Sequence, residues 1–315
     1  MTLDCPFPYF GGKSKIADPV WARFGDVANY VEPFFGSGAV LLRRPSWHKG
    51  HIETVTDADG MISNFWRSVQ HDPEATVHYA DYPLIESDLH ARHAWLLGQK
   101  ESLTVKLEGN MDYFDAKIAG YWAWGMSCWI AGGFCSGNGP WVQVNGELVK
   151  GSGGICKERP VLTCSQGVNS GKGLDGGIYQ WFADLSARLR RVRVCTGDWK
   201  RIMGPAVTFG IGLTGVFLDP PYSQSERDSG LYAEESDVAT DVARWARENG
   251  DNPLLRIALC GYDSEHEMPG SWSIYHWKAK GGYGSQGEGR GRENAKRETI
   301  WFSPSCLKHE QGKLL

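Results

Sequence analysis

Apolar runs and helical patterns alternate in the first and last parts of the chain. Strands are predicted at seven short stretches: residues 27–31, 51–56, 192–195, 216–218, 254–260, 271–278 and 298–303. Apolar residues at helical spacing predict helices at 60–70, 177–191 and 236–248, and another begins at residue 39. Strands that alternate with helices predict an α/β domain with buried parallel strands.

Residues 71–178 interrupt this alternation. Two helical stretches come first, and a long segment rich in glycine, serine and asparagine follows, with a small hairpin near residues 141–148. We expect three tryptophans of this part to pack in the core, namely Trp122, Trp124 and Trp129. A long glycine-rich insertion in a compact domain is either a functional loop or a mobile one, and this one is the natural place for substrate recognition. We therefore predict an α/β domain of residues 1–70 and 179–315 with a substrate-recognition region inserted between them.

Composition limits the class of protein only broadly. Hydrophobic residues make up 41% of the 315 and charged residues 22%, as in a globular protein. No apolar run is long enough to span a bilayer, and residues 1–8 lack the features of a signal peptide, so we expect a cytoplasmic protein. The eight cysteines are scattered without paired C-x-x-C spacing, which predicts free thiols and no metal site.

The net charge of −4 does not by itself indicate a nucleic-acid partner. Two clusters of basic residues are nevertheless present, and a groove needs only local positive potential. From charge alone we interpret both clusters as solvated surfaces, and contact with DNA is the alternative. The clusters are Arg188, Arg190, Arg191 and Arg193, and Lys278, Lys280, Arg290, Arg292, Lys296 and Arg297.

A glycine turn near the start of the chain presents a lysine, in the sequence Tyr-Phe-Gly-Gly-Lys-Ser-Lys at residues 9–15. A phosphate-binding P-loop can end in Gly-Lys-Ser. That motif needs a glycine where Phe7 stands, which disfavours a mononucleotide site. Lys13 then either lies near an anionic group or faces solvent.

A second turn joins a predicted strand to the start of a helix and reads Glu-Pro-Phe-Phe-Gly-Ser-Gly at residues 32–38. Its two glycines let the backbone come close to a ligand. Leu41 occupies the third glycine position of a dinucleotide fingerprint, so NAD and FAD are disfavoured. Glu32 would repel a pyrophosphate but suits a ligand with cationic groups, such as S-adenosylmethionine.

Three further acids follow predicted strands. Asp57 comes about twenty residues after the glycine turn, where an acid hydrogen-bonds a ribose hydroxyl. It is also a candidate cap for the helix at 60–70, and the two roles can coexist. Asp198 follows the next predicted strand. Asp219 begins the sequence Asp-Pro-Pro-Tyr, and its two prolines make a stiff, extended turn that is either a ligand site or a rigid loop.

These motifs together resemble the Dam-like DNA adenine-N6 methyltransferases, which form the alpha group or D12 class. Asp57 and Asp198 fall where that family has two further cofactor acids. The resemblance spans most of residues 7–222. Three motifs occur in the family's order: Tyr9-Phe-Gly-Gly-Lys13, Glu32-Pro-Phe-Phe-Gly-Ser-Gly38 and Asp219-Pro-Pro-Tyr222.

The resemblance implies a class I, Rossmann-like fold that binds S-adenosylmethionine. Its sheet has seven mostly parallel strands, the last of them antiparallel. The implied activity is transfer of a methyl group to N6 of a flipped-out adenine in double-stranded DNA, with no metal. We expect a monomer with no obligate protein partner and no membrane contact. The implied catalytic residues are Asp219, Pro220, Pro221 and Tyr222. The implied cofactor-binding residues are Tyr9, Gly11, Gly12, Lys13, Glu32, Pro33, Phe34, Gly36, Ser37, Gly38, Asp57, Asp198, Trp199 and Asp219.

Two alternatives stay open on the sequence. One is the same chemistry on an RNA adenine, and the other is a catalytically silent DNA-binding module. Intact Asp219, Tyr222 and Lys13 argue against the silent module. Asparagine or serine in place of Asp219 would have pointed to protein glutamine or cytosine-N4. The sequence identifies neither the recognised DNA site nor a partner restriction enzyme.

Overall fold

We describe the fold from a computed structural model of the chain. Among the residues that it describes, no helix has both the length and the apolar character needed to cross a membrane. The described residues are 3–9, 13–45, 48–129, 134–135, 141–144, 147–150, 177–221, 235–263, 265–277 and 298–308. Gly11, Gly12, Tyr222 and the second basic cluster lie outside them.

Nine strands occur in the described part of the chain. Their bounds are β1 Asn29–Glu32, β2 Ile52–Asp57, β3 Trp141–Val144, β4 Glu147–Lys150, β5 Val192–Thr196, β6 Thr214–Leu218, β7 Leu255–Tyr262, β8 Ser273–His276 and β9 Glu298–Phe302. The predicted hairpin near residues 141–148 is confirmed, because β3 and β4 pair antiparallel.

The same residues include eight α-helices. Their bounds are α1 Ala17–Phe24, α2 Ala39–Leu42, α3 Gly60–His71, α4 Pro73–Ala80, α5 Glu86–Gly109, α6 Ala116–Cys128, α7 Gly177–Leu189 and α8 Glu235–Asn249. Neither α1 nor α4 is among the helices predicted from the sequence. Asp72 caps α4 by accepting a hydrogen bond from the backbone N–H of Ala75 at 2.9 Å, and proline at the first position suits a helix start.

Seven of the strands form one sheet in the order β5-β2-β1-β6-β7-β9-β8. β1 runs parallel to β2 and to β6, and β6 runs parallel to β7. The last strand, β9, lies antiparallel between β7 and β8. A mostly parallel seven-stranded sheet with an antiparallel last strand is therefore confirmed, as is the class I methyltransferase fold.

The chain divides into two compact units. The first consists of Met1–Ser14, Gly36–Leu42 and Asp57–Asp198, and the second of Lys15–Phe35, Arg43–Thr56 and Trp199–Leu315.

Aromatic rings form the core of the first unit. The Phe7 ring centroid lies 5.1 Å from that of Phe65 and 4.7 Å from that of Trp122. A P-loop would need a glycine at this position. Phe7 stands there instead, and its side chain packs in the aromatic core. Trp124 and Trp129 are buried too, which confirms that all three predicted tryptophans are packing residues.

The second unit contains most of the sheet and a buried ion pair. Val216, Phe217 and Leu218 of β6 are at most 1% exposed, as expected of a strand covered on both faces. Arg44 donates to Glu53 Oε1 at 3.1 Å, and the side chains of both residues are almost fully buried. Arg44 also donates to the backbone carbonyl of Val27, which comes just before β1.

Candidate active site

The glycine turn is held from two sides within the first unit. The N–H of Gly36 donates to Asp57 Oδ2 at 2.9 Å, and the indole N–H of Trp66 donates to the carbonyl of Gly36 at 2.9 Å. Gly36 has φ +47° and Gly38 φ +69°, in the left-handed region that favours glycine. A Cβ on Gly36 would lie 2.8 Å from Cε1 of Tyr9, so the tyrosine ring packs directly against the turn.

Asp57 supports this turn and does not cap the helix. Its Oδ1 accepts from the N–H of Asp59 at 2.9 Å. The cap of α3 is Asp59, whose Oδ1 accepts from the N–H of Met61 at 2.8 Å. The alternative that Asp57 caps this helix is therefore wrong. β2 ends at Asp57, and α3 begins only three residues later. Asp59 is the residue directly before the first turn of α3, so Asp59 and not Asp57 holds the N-cap position.

The protonation of Asp57 is shifted strongly. Burial raises the pKa of Asp57 to about 7, although hydrogen bonds from the N–H groups of Asp59 and Gly36 oppose the rise. The negative charge of Asp59 adds to the rise in this pKa. A carboxylate that titrates near neutral pH at the carboxyl end of a strand is a functional-site candidate on physical grounds.

Within the first unit, a backbone hydrogen bond from the residue before Asp198 brings Asp198 close to Asp57. The N–H of Gly197 donates to the carbonyl oxygen of Asp57 at 3.0 Å, and Gly197 has φ +105°. Asp198 itself is exposed directly after this turn. The first unit thus brings Tyr9, the Gly36–Gly38 turn, Asp57 and Asp198 together.

Two more acids lie at neighbouring strand ends within the second unit. Glu32 ends β1 and is only 2% exposed, and Asp219 follows β6 and is half-buried. The two strands are parallel, with Val31 opposite Val216, so both acids lie at the same edge of the sheet. Pro220 is buried and Pro221 is exposed, so the turn after Asp219 is anchored at its first proline.

Two aromatic residues of the predicted site also meet in the second unit. The ring centroids of Phe34 and Trp199 are 6.2 Å apart with an interplanar angle of 31°. Trp199 begins a 3₁₀ turn and lines a cavity of about 330 Å³ with residues of that turn and of α8. In this cavity Lys200 and Arg244 both bind Asp241, at 2.7 and 2.6 Å. Glu248 also lines the cavity, so two acids accompany the two cations and the cavity is poorly suited to a phosphate.

Lys13 is 5% exposed, so the alternative of a solvent-facing lysine is wrong. Pro33 and Ser37 are buried as well.

Three arginines of the first basic cluster are exposed, in keeping with a solvated surface: Arg190, Arg191 and Arg193. Arg188 instead donates to the carbonyl of Leu41 at 3.2 Å.

One group of three side chains among the described residues has metal-ligand spacing: Asp26, His48 and His51. His51 Nε2 lies 3.2 Å from Asp26 Oδ1, and its Nδ1 accepts a hydrogen bond from the N–H of His48 at 3.3 Å. Burial lowers the pKa of His51, which favours the neutral ring. A neutral ring that accepts at Nδ1 carries its proton on Nε2, so that nitrogen donates to Asp26 and has no lone pair for a metal.

Sequence reasoning missed two residues that hold the site. Trp66 lies in the helix predicted at 60–70 and was given no role there, and its indole is the donor to Gly36. Tyr30 was not considered, yet its hydroxyl donates to Glu32 Oε2 at 2.9 Å. The signal for Tyr30 was its spacing, because residues two apart on a strand point to the same face. The signal for Trp66 was its type, since a buried indole N–H needs an acceptor.

The fold and these groups define a class of protein: a class I methyltransferase fold, with acids at its strand ends and a tight glycine turn after its first strand. Residues 9–101 match the family model of the D12 class N6 adenine-specific DNA methyltransferases. The family resemblance is confirmed over residues 9–101, and the family that this range matches consists of DNA N6-adenine methyltransferases. The matched range includes Lys13, the glycine turn and Asp57 and ends before Asp198 and Asp219. No curated protein matches the chain.

Proposed function

We propose that the protein transfers a methyl group from S-adenosylmethionine to N6 of an adenine flipped out of duplex DNA. The observation that carries this proposal is the half-buried carboxylate of Asp219, which follows β6 beside the strand that ends in Glu32. Pro220 and Pro221 stiffen the chain directly after it. The carboxyl ends of parallel strands are where α/β sheets place their ligands.

The residues present suit S-adenosylmethionine better than a nucleotide phosphate. This cofactor carries a sulfonium, an ammonium, a carboxylate and two ribose hydroxyls, and no phosphate. Acids such as Glu32 would repel a phosphate but attract the cationic groups. Its carboxylate requires a cation, and buried Lys13 is our candidate.

We assign the remaining contacts by motif. Gly36 and Gly38 would lie beneath the methionine portion with Glu32 near it, Asp57 would accept from the ribose hydroxyls, and Asp198 would contact the adenine amine. The Phe34–Trp199 pair offers aromatic surface for the adenine. Other proposed cofactor contacts are Tyr9, Gly11, Gly12, Pro33, Ser37 and Asp219.

The chemistry requires the target nitrogen to become a better nucleophile, because its lone pair is delocalised into the adenine ring. Asp219 would accept one N–H of the amine and the carbonyl of Pro220 the other. Both hydrogen bonds strengthen as positive charge develops on nitrogen, which stabilises the transition state. Tyr222 would stack on the base. When bound, the cofactor supplies an electrophilic methyl group on its sulfonium.

The target base must leave the duplex to reach Asp219, at a cost of about a few kcal/mol. We propose that residues 71–178 form the region that recognises the DNA sequence, inserted in a catalytic domain of residues 1–70 and 179–315. Methylation-site sequencing of DNA from a methylation-deficient host that expresses the protein would give the recognised site. Unmodified DNA from cells that contain folded protein would count against the proposal.

Transfer of labelled methyl groups to duplex DNA and to structured RNA tests the substrate directly. We expect label at adenine N6 in DNA, whereas label in RNA alone would favour the RNA enzyme and overturn our proposal. Asp219→Ala should abolish transfer and leave cofactor affinity within about threefold. Asp251→Ala, at an exposed turn position, is the matched control and should keep full activity. Full activity of Asp219→Ala would refute its assigned role.

A further inference from the structure

Arg92, on α5 of the first unit, is buried with aromatic rings around its positive charge. Its Cζ lies 4.1 Å from the ring centre of Tyr82, 4.2 Å from that of Tyr121 and 4.4 Å from that of Trp124. The residue is 8% exposed. Contacts of this length fix the position of the guanidinium, because the electron-rich faces of the rings attract the cation.

The guanidinium of Arg92 has no anionic partner in the described part of the chain. Its Nη1 is buried and makes no hydrogen bond. Among the described residues no carboxylate pairs with this arginine, although Asp88 lies one helical turn earlier on α5. A buried charge is costly unless it is paired, so an enclosed arginine without an acceptor points to an anion that binds from outside.

A second cation lies beside this arginine. Lys117 of α6 is exposed, and its Nζ lies 5.2 Å from the ring centre of Trp95. Arg92 Cζ lies 4.2 Å and Lys117 Nζ 5.6 Å from the centre of the Tyr121 ring, so the two charges lie within about 10 Å of each other. Trp95 is itself 37% exposed. We call this group the Arg92 surface: Tyr82, Arg92, Trp95, Lys117 and Tyr121.

The chemistry of the Arg92 surface fits a nucleic-acid backbone. A guanidinium binds phosphate oxygens through two parallel N–H donors, and an ammonium binds them as a point charge. Stacking on aromatic rings holds the plane of the guanidinium ready for such a contact. Two neighbouring cations with accessible rings suit the closely spaced phosphates of a nucleic-acid strand better than the single carboxylate of a peptide.

We propose that the Arg92 surface binds the phosphate backbone of the duplex DNA substrate. This inference rests on the proposed function, because that function supplies the DNA and assigns α5 and α6 to the recognition region. Phosphate contacts fix the position of a protein on the duplex and carry no sequence information. The Arg92 surface therefore raises the affinity for all DNA sequences alike.

The salt dependence of DNA binding tests this role. Each phosphate contact releases condensed counterions, so the loss of one contact lowers the slope of log affinity against log salt by about 0.9. Affinity is measured by fluorescence anisotropy with a labelled duplex of random sequence, from about 0.05 to 0.5 M KCl. We expect Lys117→Met to lower the slope by about 0.9 and to weaken binding about eightfold near 0.1 M salt. At saturating DNA the turnover number should change by less than about twofold.

Lys106→Met is the matched control. Lys106 is also an exposed lysine over a tyrosine, with its Nζ 5.5 Å from the ring centre of Tyr113. It lies about 21 Å along α5 from Arg92, at 1.5 Å per residue. The control removes the same charge away from the Arg92 surface, so it should leave slope and affinity unchanged.

Arg92→Lys tests the guanidinium itself. It keeps the charge but loses the planar pair of donors, and it should weaken binding about fivefold at an unchanged slope. If this variant does not fold, Lys117→Met decides the matter, because its side chain is exposed.

Three results would overturn the inference: unchanged affinity and slope in Lys117→Met, full affinity of folded Arg92→Lys, or an equal change in Lys106→Met. A loss of affinity for structured RNA or for polyglutamate, with unchanged affinity for duplex DNA, would assign the surface to another partner and would overturn it too.

Failure of the proposed function would look different from failure of this inference. Wild-type protein that binds the duplex, depends on Lys117 as expected and methylates no adenine would overturn the function alone. Wild-type protein that methylates adenine, with a DNA affinity indifferent to Lys117→Met, would overturn the role of the Arg92 surface alone.

Discussion

Cofactor affinity should fall as the pH is lowered below about 7, because Asp57 must be ionised to accept hydrogen bonds from the ribose hydroxyls. The pKa of Asp57 is raised from 3.8 to about 7, chiefly by burial. If only the ionised form binds, affinity falls about tenfold at pH 6 and about a hundredfold at pH 5. Binding should also release close to one proton below pH 6 and almost none above pH 8.

Calorimetry in two buffers of different ionisation enthalpy measures both the cofactor affinity and the number of protons released on binding. Asp57→Asn should bind weakly at every pH and should lose the pH dependence. Asp59→Asn is the matched control, because asparagine caps a helix as well as aspartate does. The charge of Asp59 raises the pKa of Asp57, so the midpoint in this variant should move to lower pH while the dependence persists. A wild-type affinity that is constant from pH 5 to 8, or a pH dependence that survives in Asp57→Asn, would refute the reasoning.

The raised pKa of Asp57 also affects the stability of the protein without cofactor. The folded state holds the Asp57 proton up to about pH 7, whereas the unfolded chain releases it near 3.8. The stabilisation is therefore complete below about pH 4 and is lost as the pH rises toward 7. Three pKa units correspond to about 4 kcal/mol. Urea unfolding of wild type and Asp57→Asn across this range should show that difference, and parallel pH profiles would contradict it.

Three further substitutions test the packing. Gly36→Ala should lower stability by about 1–3 kcal/mol in urea unfolding, because Gly36 has a left-handed φ and the new Cβ would meet Tyr9; a neutral result would contradict the turn geometry. Gly98→Ala, inside α5 with open space around the new Cβ, should raise the free energy of unfolding by about 0.5–1 kcal/mol, seen as a higher urea midpoint at unchanged slope, and a lower free energy of unfolding would contradict the open space. Arg44→Met should cost about 3–5 kcal/mol, because it removes the cation that pairs with the buried carboxylate of Glu53. Adding Glu53→Leu should recover part of the loss, and equal instability of the double variant would argue against the ion pair.

The amino-acid sequence alone indicated most elements of the fold and the family resemblance. Each of the seven predicted strand stretches overlaps one strand of the sheet. The signal is strongest for the central strand β6, because a parallel strand that is buried on both faces needs nearly continuous apolar residues. The order of the lysine turn, the glycine turn and the strand-end acids pointed to the family that matches residues 9–101. These features are local, since each depends on residues close together in the chain.

Only the tertiary structure decided how the side chains are used. The sequence left Asp57 as a candidate helix cap, and the hydrogen bond from Gly36, 21 residues away, shows that Asp57 supports the glycine turn. On the sequence alone Lys13 could face solvent, and its burial in the structure excludes that alternative. The strand places Tyr30 and Glu32 on the same face, so the Tyr30 hydroxyl donates to the buried carboxylate of Glu32. Protonation, burial and hydrogen-bond partners depend on groups distant in sequence, and only the folded chain brings those groups together.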